Sequence, residues 1–367
     1  MDGVETVDRL RASGMRRSSI DLLPRIDRLV GLRRTDELND TRLSRIHAAL
    51  AAAPAGAILS GWAAAALHGI PNDFLDGTSD GTQGLPVELI VPPDSGAYAR
   101  DGLRLRWAPC RVEDLVSYQG HPVTNGMRTA TDLTRWAKYP EKALAAMDMC
   151  LRHGLASRYE IEHWQLPRMK GYRGIQLVRD AIAIATDRAE SPMESELRYY
   201  WLESGLPSPN VNAEVYDLNG RFMGRIDLLD EESGYGAEYN GHWHEMWDRP
   251  VLDSRRMMGL RSLNLTMDDF TKDDFRGSRI ACINARFRDG HARALARDSR
   301  HDAFRVAVAG PRFGTRITAP SLGLAPESPH RPKVCEEGAG GLQDVGRSLG
   351  ERVSATRRQH LGRGSQC

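Results

Sequence analysis

The stretch that decides the fold is GRIDLLDEESGYGAEYNG, residues 224–241. Its two ends alternate apolar and polar residues and its centre holds Glu, Ser and Gly, so it predicts two antiparallel strands joined by a turn at 231–234. With the turn centred between residues 232 and 233, Asp227 lies opposite Glu238, and their Cβ atoms are roughly 4.5 to 5.5 Å apart. Both carboxylates then lie on one face of the hairpin.

The same register assigns the other hairpin residues to two faces. Arg225 lies opposite Asn240 on the polar face, while Ile226 meets Tyr239 on the apolar face. Two ionised carboxylates this close repel, so either one takes up a proton or a cation lies between them, and oxygen ligands at an open site suit Mg²⁺. One interpretation is metal-assisted phosphodiester hydrolysis. The other is a solvated polar face on which Arg225 offsets the two acids.

Composition limits the classes of protein to which the chain can belong. Its 367 residues are enough for roughly two or three domains, each with its own core. Its 50 Lys and Arg against 49 Asp and Glu create no overall field that attracts nucleic acid, so such contacts need local basic patches. The five cysteines lie far apart with no C-x-x-C pair, which argues against structural zinc and against a disulfide framework.

Two stretches bear on the location of the protein. The N-terminus starts acidic and has no apolar segment typical of a secretory signal. The most apolar stretch, residues 48–70, is rich in alanine and is interrupted by Pro54 and Gly56, so a membrane span is not expected. We therefore expect a cytoplasmic protein with no membrane partner, and the oligomeric state stays open.

The N-terminal residues have the pattern of a helix-turn-helix. Residues 4–12 predict a first helix, Ser18 predicts the start of a second, and residues 26–34 predict a strand or wing. Arg16 and Arg17 then lie where the N-terminus of a recognition helix would meet phosphates. The alternative is an ordinary helical hairpin with surface arginines.

Four segments in the second half of the chain together carry a family resemblance. They are SPMES (191–195), GRIDL (224–228), EYNGHWH (238–244) and DSRR (253–256). In this order they resemble a very-short-patch-repair-endonuclease-like domain of the PD-(D/E)xK nuclease superfamily, over roughly residues 190–296.

The resemblance implies a metal site built from three acids. In that superfamily the first acid comes from a helix, the second from a strand and the third from the next strand, which here are Glu194, Asp227 and Glu238. Together they would bind Mg²⁺ or Mn²⁺, which activates water and stabilises the charge that develops on the phosphate.

One position departs from the superfamily pattern. The lysine expected two residues after the third acid is Asn240, which can neither carry a positive charge nor relay a proton. His242 or His244 could act as the base instead, and Arg225 or Arg256 could stabilise phosphate charge. The alternative for residues 242–244 is a polar loop that follows the strand.

The first half of the chain resembles a second family. The segments ILSGWAAAALHG (58–69), PVT (122–124) and RTATDL (128–133) are similar to the AbiEi-type (type IV) antitoxin family over about residues 4–154. The resemblance implies a winged helix before an α+β domain, DNA binding and transcriptional autoregulation. DNA is therefore the expected partner, with a cognate toxin as a second candidate.

The sequence thus predicts an α+β protein whose C-terminal domain is a restriction-endonuclease-like α/β domain around a central mixed sheet. Four regions are expected: a winged helix-turn-helix-like unit (1–46), an AbiEi-antitoxin-like α+β domain (47–165), a PD-(D/E)xK nuclease-like domain (175–305) and a disordered basic tail (311–367). Three functions remain open: a Mg²⁺-dependent DNA endonuclease, an antitoxin-like DNA-binding regulator whose nuclease fold is inactive, and a protein-interaction scaffold that uses the alanine-rich helices.

Overall fold

A computed structural model describes residues 4–23, 32–34, 42–71, 75, 84–98, 102–241, 258–307 and 324–325. Helices and strands are mixed along the chain, so the predicted α+β class is confirmed. The described residues fall into two compact units. Unit 1 draws on the described residues of Met1–Trp136, His153–Arg179 and Arg316–Lys333, and unit 2 on those of Ala137–Arg152 and Asp180–Thr315. The segment 47–165, which was predicted as one domain, therefore contributes to both units.

Unit 1 begins with a strand rather than with the predicted helix. Strand β1 (Val4–Thr6) pairs antiparallel with β2 (Leu32–Arg34), and two six-residue helices, α1 (Val7–Ala12) and α2 (Arg17–Leu22), lie between them in the chain. The helix predicted from Val4 is wrong at its first turn, because Thr6 caps α1 by accepting a hydrogen bond from the Arg9 amide at 3.1 Å.

The start of the second helix also differs from the prediction. Arg16, not Ser18, occupies the N-cap of α2, and it makes no side-chain capping bond. The strand predicted within 26–34 is confirmed for Leu32–Arg34, and residues 26–31 lie outside the described part of the chain.

The main sheet of unit 1 has six strands. In chain order its elements are α3 (Arg42–Ala52), β3 (Ile58–Ser60), α4 (Gly61–Leu67), β4 (Val87–Val91), β5 (Leu103–Trp107), β6 (Leu115–Tyr118), β7 (His121–Thr124) and α5 (Gly126–Trp136), with a π-helical segment Glu160–Gln165 and a helical turn Leu166–Arg168 further on. The strand order is β13-β6-β7-β3-β4-β5, where β13 is Leu324–Ala325.

Leu324 and Ala325 belong to the predicted disordered tail, yet they pair with β6. The other residues of 311–367 are not described.

Apolar side chains from α3 and α4 pack on this sheet. Leu59, Leu89 and Val123 from three of its strands are fully buried, together with Trp62 and Leu67 of α4. The core therefore forms between the helices and one face of the sheet, as the alanine-rich helices allow by packing closely.

Unit 2 is built around a mixed five-stranded sheet. Its elements in chain order are α6 (Pro140–Arg152), α7 (Ile175–Ile184, whose first half clusters with unit 1), α8 (Pro192–Glu203), β8 (Asn210–Asp217), β9 (Phe222–Asp230), β10 (Tyr235–Asn240), β11 (Thr266–Thr271), α9 (Ile280–Leu295) and β12 (Phe304–Ala307). The strand order is β11-β10-β9-β8-β12, in which only the β10–β11 pair is parallel. The predicted central mixed sheet is therefore confirmed.

The hairpin β9–β10 has the predicted register. Tyr235 pairs with Asp230, and Ala237 pairs with Leu228, which is the alignment that places Asp227 opposite Glu238. Gly234 ends the turn with φ +65°, a left-handed conformation that glycine adopts without steric cost. None of the described helices combines the length and the apolarity that crossing a membrane would need.

Candidate active site

Glu194 is positioned by the start of helix α8. Ser191 caps the helix by accepting a hydrogen bond from the Glu194 amide at 3.2 Å, and Pro192 occupies the first helical position. The Glu194 carboxylate then accepts two bonds at Oε2, from the Glu190 amide at 2.7 Å and from Asn212 Nδ2 at 2.8 Å. Its place is thus fixed from both the helix and strand β8.

Asp227 lies where the hairpin ladder ends. The last pair of the β9–β10 ladder is Ala237 with Leu228, and beyond it the Tyr239 amide donates to Asp227 Oδ2 at 2.8 Å. Glu238, which the register places opposite, is only 3% exposed. The second oxygen of Asp227, Oδ1, accepts no hydrogen bond from any described residue.

The charges of Glu194 and Glu238 both act on Asp227. Burial, with the nearby charges of Glu194 and Glu238, raises the pKa of Asp227 to about 8, although the Tyr239 amide and the Arg225 charge act in the opposite direction. Burial also raises the pKa of Glu194, to which the charge of Glu190 adds. The site without a cation therefore favours the protonated form of Asp227.

Asp227 and Glu238 belong to a row of polar residues that crosses four strands of the sheet. Glu238 pairs with Asp269 of β11. Strand β8 pairs with β9 through Val211–Leu228 and Ala213–Ile226. Asn212 therefore lies opposite Asp227, between these two pairs. In strand order the row is Asn212, Asp227, Glu238 and Asp269.

Sequence reasoning missed Asn212 and Asp269. Asn212 has φ +51°, an irregular backbone that a sequence pattern does not reveal. Asp269 lies in β11, and no local sequence pattern identifies the neighbour of this strand in the sheet. Only parallel pairing of two distant segments brings Asp269 next to Glu238.

The position expected to hold lysine carries a neutral amide. Asn240 is exposed, and its Nδ2 donates to Asp269 Oδ1 at 3.0 Å. The two histidines predicted as substitute bases, His242 and His244, lie outside the described residues, as does Arg256.

Arg225 lies beside the acids and forms an ion pair with another carboxylate, that of Glu190. Its Nη2 donates to Glu190 Oε2, while Glu190 Oε1 accepts from Arg152 Nη2 at 3.1 Å. Arg225 still lowers the pKa of Asp227 through its charge. Arg225 therefore acts on Asp227 while it also forms an ion pair with Glu190.

The three acids offer oxygen ligands but no ready-made metal centre. Among the described residues no group of three His, Cys, Asp or Glu side chains is arranged to hold a metal ion. The oxygens present on Glu194, Asp227 and Glu238 are the hard ligands that Mg²⁺ and Mn²⁺ prefer, and Mg²⁺ commonly keeps several water ligands beside one or two carboxylates. The residues therefore fit an open, partly hydrated cation site.

The predicted DNA-contacting arginines of unit 1 lie at the start of α2. Arg16 and Arg17 are both exposed, and Arg17 Nε is 3.9 Å from Asp21 Oδ2. Both arginines are therefore accessible to a ligand. The exposed ion pair with Asp21 restrains the Arg17 side chain only weakly.

Comparison with known proteins gives two curated relatives. They carry the names Uncharacterized protein MT2308 and Uncharacterized protein Rv2248, and they come from two strains of Mycobacterium tuberculosis. Each is 34% identical over 178 residues, which is 48% of this chain and 65% of the relative, so the chain spans less than two thirds of the relatives' length. No known family description matches the chain, and no solved structure matches it significantly.

Proposed function

We propose that unit 2 is a DNA endonuclease domain of the PD-(D/E)xK type that uses Mg²⁺ or Mn²⁺. The observation that carries the proposal is that Asp227 lies opposite the buried Glu238 on the hairpin, near Glu194, where burial and the charges of both acids raise the pKa of Asp227 to about 8. Burying like charges together costs stability, and perturbed carboxylates of this kind cluster at functional sites. A divalent cation offsets that cost when it binds.

The roles of the chain's own residues follow from their contacts. Glu194 and Asp227 would hold the cation, with Glu238 as the third acid, and Asn212 orients Glu194 through its hydrogen bond. The bound cation would supply a water nucleophile and stabilise the leaving oxygen. Arg225 would stabilise the negative charge that develops on the phosphate.

The proton transfer that the superfamily lysine usually performs requires another residue here. Asn240 cannot titrate, so its amide would orient water or substrate while a histidine, His242 or His244, acts as the base. Arg256 is the second proposed phosphate contact. This division of roles makes proton transfer depend on residues that follow β10.

The proposal is tested by incubating supercoiled plasmid with the full chain and Mg²⁺ or Mn²⁺. We expect nicking in the wild type and its loss in Asp227→Asn and Glu238→Gln, because both variants keep side-chain shape and remove a ligand charge. Glu231→Gln, an exposed residue of the hairpin turn, is the matched control and should nick normally. Nicking that persists in both site variants would remove the proposed site.

A second candidate function is supported by Asn240. If the missing lysine leaves unit 2 inactive, the protein would act as an antitoxin-like regulator that binds DNA through unit 1, with a toxin as a possible second partner. The exposure of Arg16 and Arg17 at the start of α2 favours this surface as the DNA contact. A cytoplasmic location fits both functions, and Cys110, Cys150 and Cys282 are free thiols, as that compartment permits.

A gel shift on the promoter of the protein's own gene tests the regulator. Changing Arg16 and Arg17 to Ala should weaken binding to every sequence and lower the salt dependence, since phosphate contacts carry no sequence information. Arg11→Ala, an exposed arginine of α1, is the control. Unchanged binding in the Arg16 and Arg17 variant would exclude this surface.

A further inference from the structure

Two arginines beside the candidate site share one carboxylate. Glu190 Oε1 accepts from Arg152 Nη2 at 3.1 Å, and Glu190 Oε2 accepts from Arg225 Nη2. The arginines come from the last turn of α6 and from β9, so a single side chain links two elements that are far apart in sequence.

The link is open to solvent. The side chains of Arg152, Glu190 and Arg225 are 20%, 25% and 39% exposed. An ion pair that water reaches in this way is weak, so another anion can exchange with its carboxylate.

The link also lies directly against the acids. The Glu190 amide donates to Glu194 Oε2 at 2.7 Å, which anchors the backbone while the Glu190 side chain extends to the arginines. The side chain can therefore leave the arginines while the backbone keeps its hydrogen bond to Glu194.

We propose that Arg152 and Arg225 form a subsite for a backbone phosphate of DNA, and that the Glu190 carboxylate occupies this subsite until DNA displaces it. A carboxylate that offers one oxygen to each of two guanidinium groups makes the contacts that two phosphate oxygens would make. The inference rests on the proposed function of unit 2, and it adds a phosphate contact, Arg152, and a competing carboxylate, Glu190.

Displacement also changes the charge beside the acids. While Glu190 is in place, two cations share one anion. When a phosphate takes over, the Glu190 carboxylate moves to solvent, and the DNA strand is held by cations next to Glu194 and Asp227. The strand is thereby positioned at the acids before any cleavage occurs.

Binding of a short fluorescein-labelled DNA duplex in EDTA tests the subsite. Glu190→Gln should bind about threefold to tenfold more tightly than the wild type, because it loses a competing charge of an exposed ion pair. Glu231→Gln makes the same change in net charge and should leave affinity nearly unchanged. An equal gain in both variants would show a general charge effect and would overturn the proposal.

The arginine variants give an independent test of the subsite. This test remains usable if Glu190→Gln fails to fold. Arg152→Ala and Arg225→Ala should each weaken binding and lower the salt slope by about one, whereas Arg288→Ala, an exposed arginine of α9, should not. The gain from Glu190→Gln should disappear in an Arg152→Ala background. Undiminished binding in both arginine variants would overturn the subsite.

Two further probes identify the ligand. The labelled single strand should show the same gain in Glu190→Gln as the duplex, and inorganic phosphate should compete with both, because the subsite recognises phosphate rather than duplex shape. A gain confined to the duplex would contradict that. EDTA prevents cleavage, so failure of the nicking assay leaves this measurement valid, and failure here leaves the nicking assay valid.

Discussion

Arg198 Nη2 donates to Asp148 Oδ2 at 2.7 Å, and the two side chains are 5% and 0% exposed. The pair connects helix α8, which begins next to Glu194, with helix α6. Asp148 Oδ1 also accepts from the Thr186 amide at 2.7 Å, and Arg198 Nη1 donates to the Ile184 carbonyl at 2.6 Å. A buried ion pair with these additional bonds holds the helix that carries the first acid.

Asp148→Ala should therefore destabilise unit 2 strongly. The change leaves the Arg198 charge buried without its partner, which costs about 3 to 5 kcal/mol in comparable sites. Urea unfolding followed by circular dichroism measures the loss. Asp289→Ala, an exposed acid of α9, is the control, and an equally small change in both variants would contradict the structural role of the pair.

Unit 1 contains a comparable network centred on Arg128. The Arg128 side chain is 0% exposed, with Nε 2.9 Å from Asp132 Oδ2 and Nη1 3.0 Å from Asp114 Oδ2. Asp132 Oδ2 also accepts from Ser60 Oγ at 3.0 Å, so the network ties α5 to the end of β3.

Arg128→Ala should cost about 3 to 5 kcal/mol of unfolding free energy, because it leaves two buried carboxylates close together without their cation. The measurement is again urea unfolding, with the exposed Arg111→Ala as the control. Stability equal to that of the control would show that the carboxylates are neutral without Arg128.

The Asp227 pKa makes the stability of the unliganded protein depend on pH. The folded-state pKa is about 8 against an ordinary value of 3.8, so the folded protein binds the extra proton between these values. The contribution of this proton to the free energy of unfolding is fully present below pH 3.8. It falls as pH rises, by up to about 1.4 kcal/mol per pH unit, and is lost once pH has passed through about 8.

This pH dependence should disappear in Asp227→Asn and should weaken with Mn²⁺, whose binding displaces the proton. Chemical unfolding from pH 5 to about 9, with and without Mn²⁺, measures both effects. A wild type and an Asp227→Asn variant with the same pH profile would contradict the raised pKa.

Asn240→Lys tests whether the departure from the superfamily pattern limits activity. A lysine here can supply charge and proton transfer, and acid–base groups typically contribute about 10²-fold to 10⁴-fold in rate. We expect plasmid nicking to rise by at least about tenfold, and Asn240→Ala to show no rise. Nicking by Asn240→Lys at the wild-type rate would mean that other residues already perform the role of the lysine.

Local signals made part of the fold predictable. The hairpin register was predicted correctly because turn chemistry and alternation act over a few residues. The first strand was missed because Val4–Thr6 is extended only through pairing with Leu32–Arg34, and sequence periodicity does not report a partner so distant.

The sequence by itself determined which side of the hairpin carries Asp227 and Glu238, because side chains alternate along a strand with a period of two. Only the tertiary structure decided what surrounds them. Burial raises the pKa of Asp227, Asp269 reaches Glu238 by parallel pairing, and Glu190 joins Arg152 to Arg225. Each of these depends on segments that are remote in the chain and meet only when the sheet and its helices pack, so no local pattern could encode them.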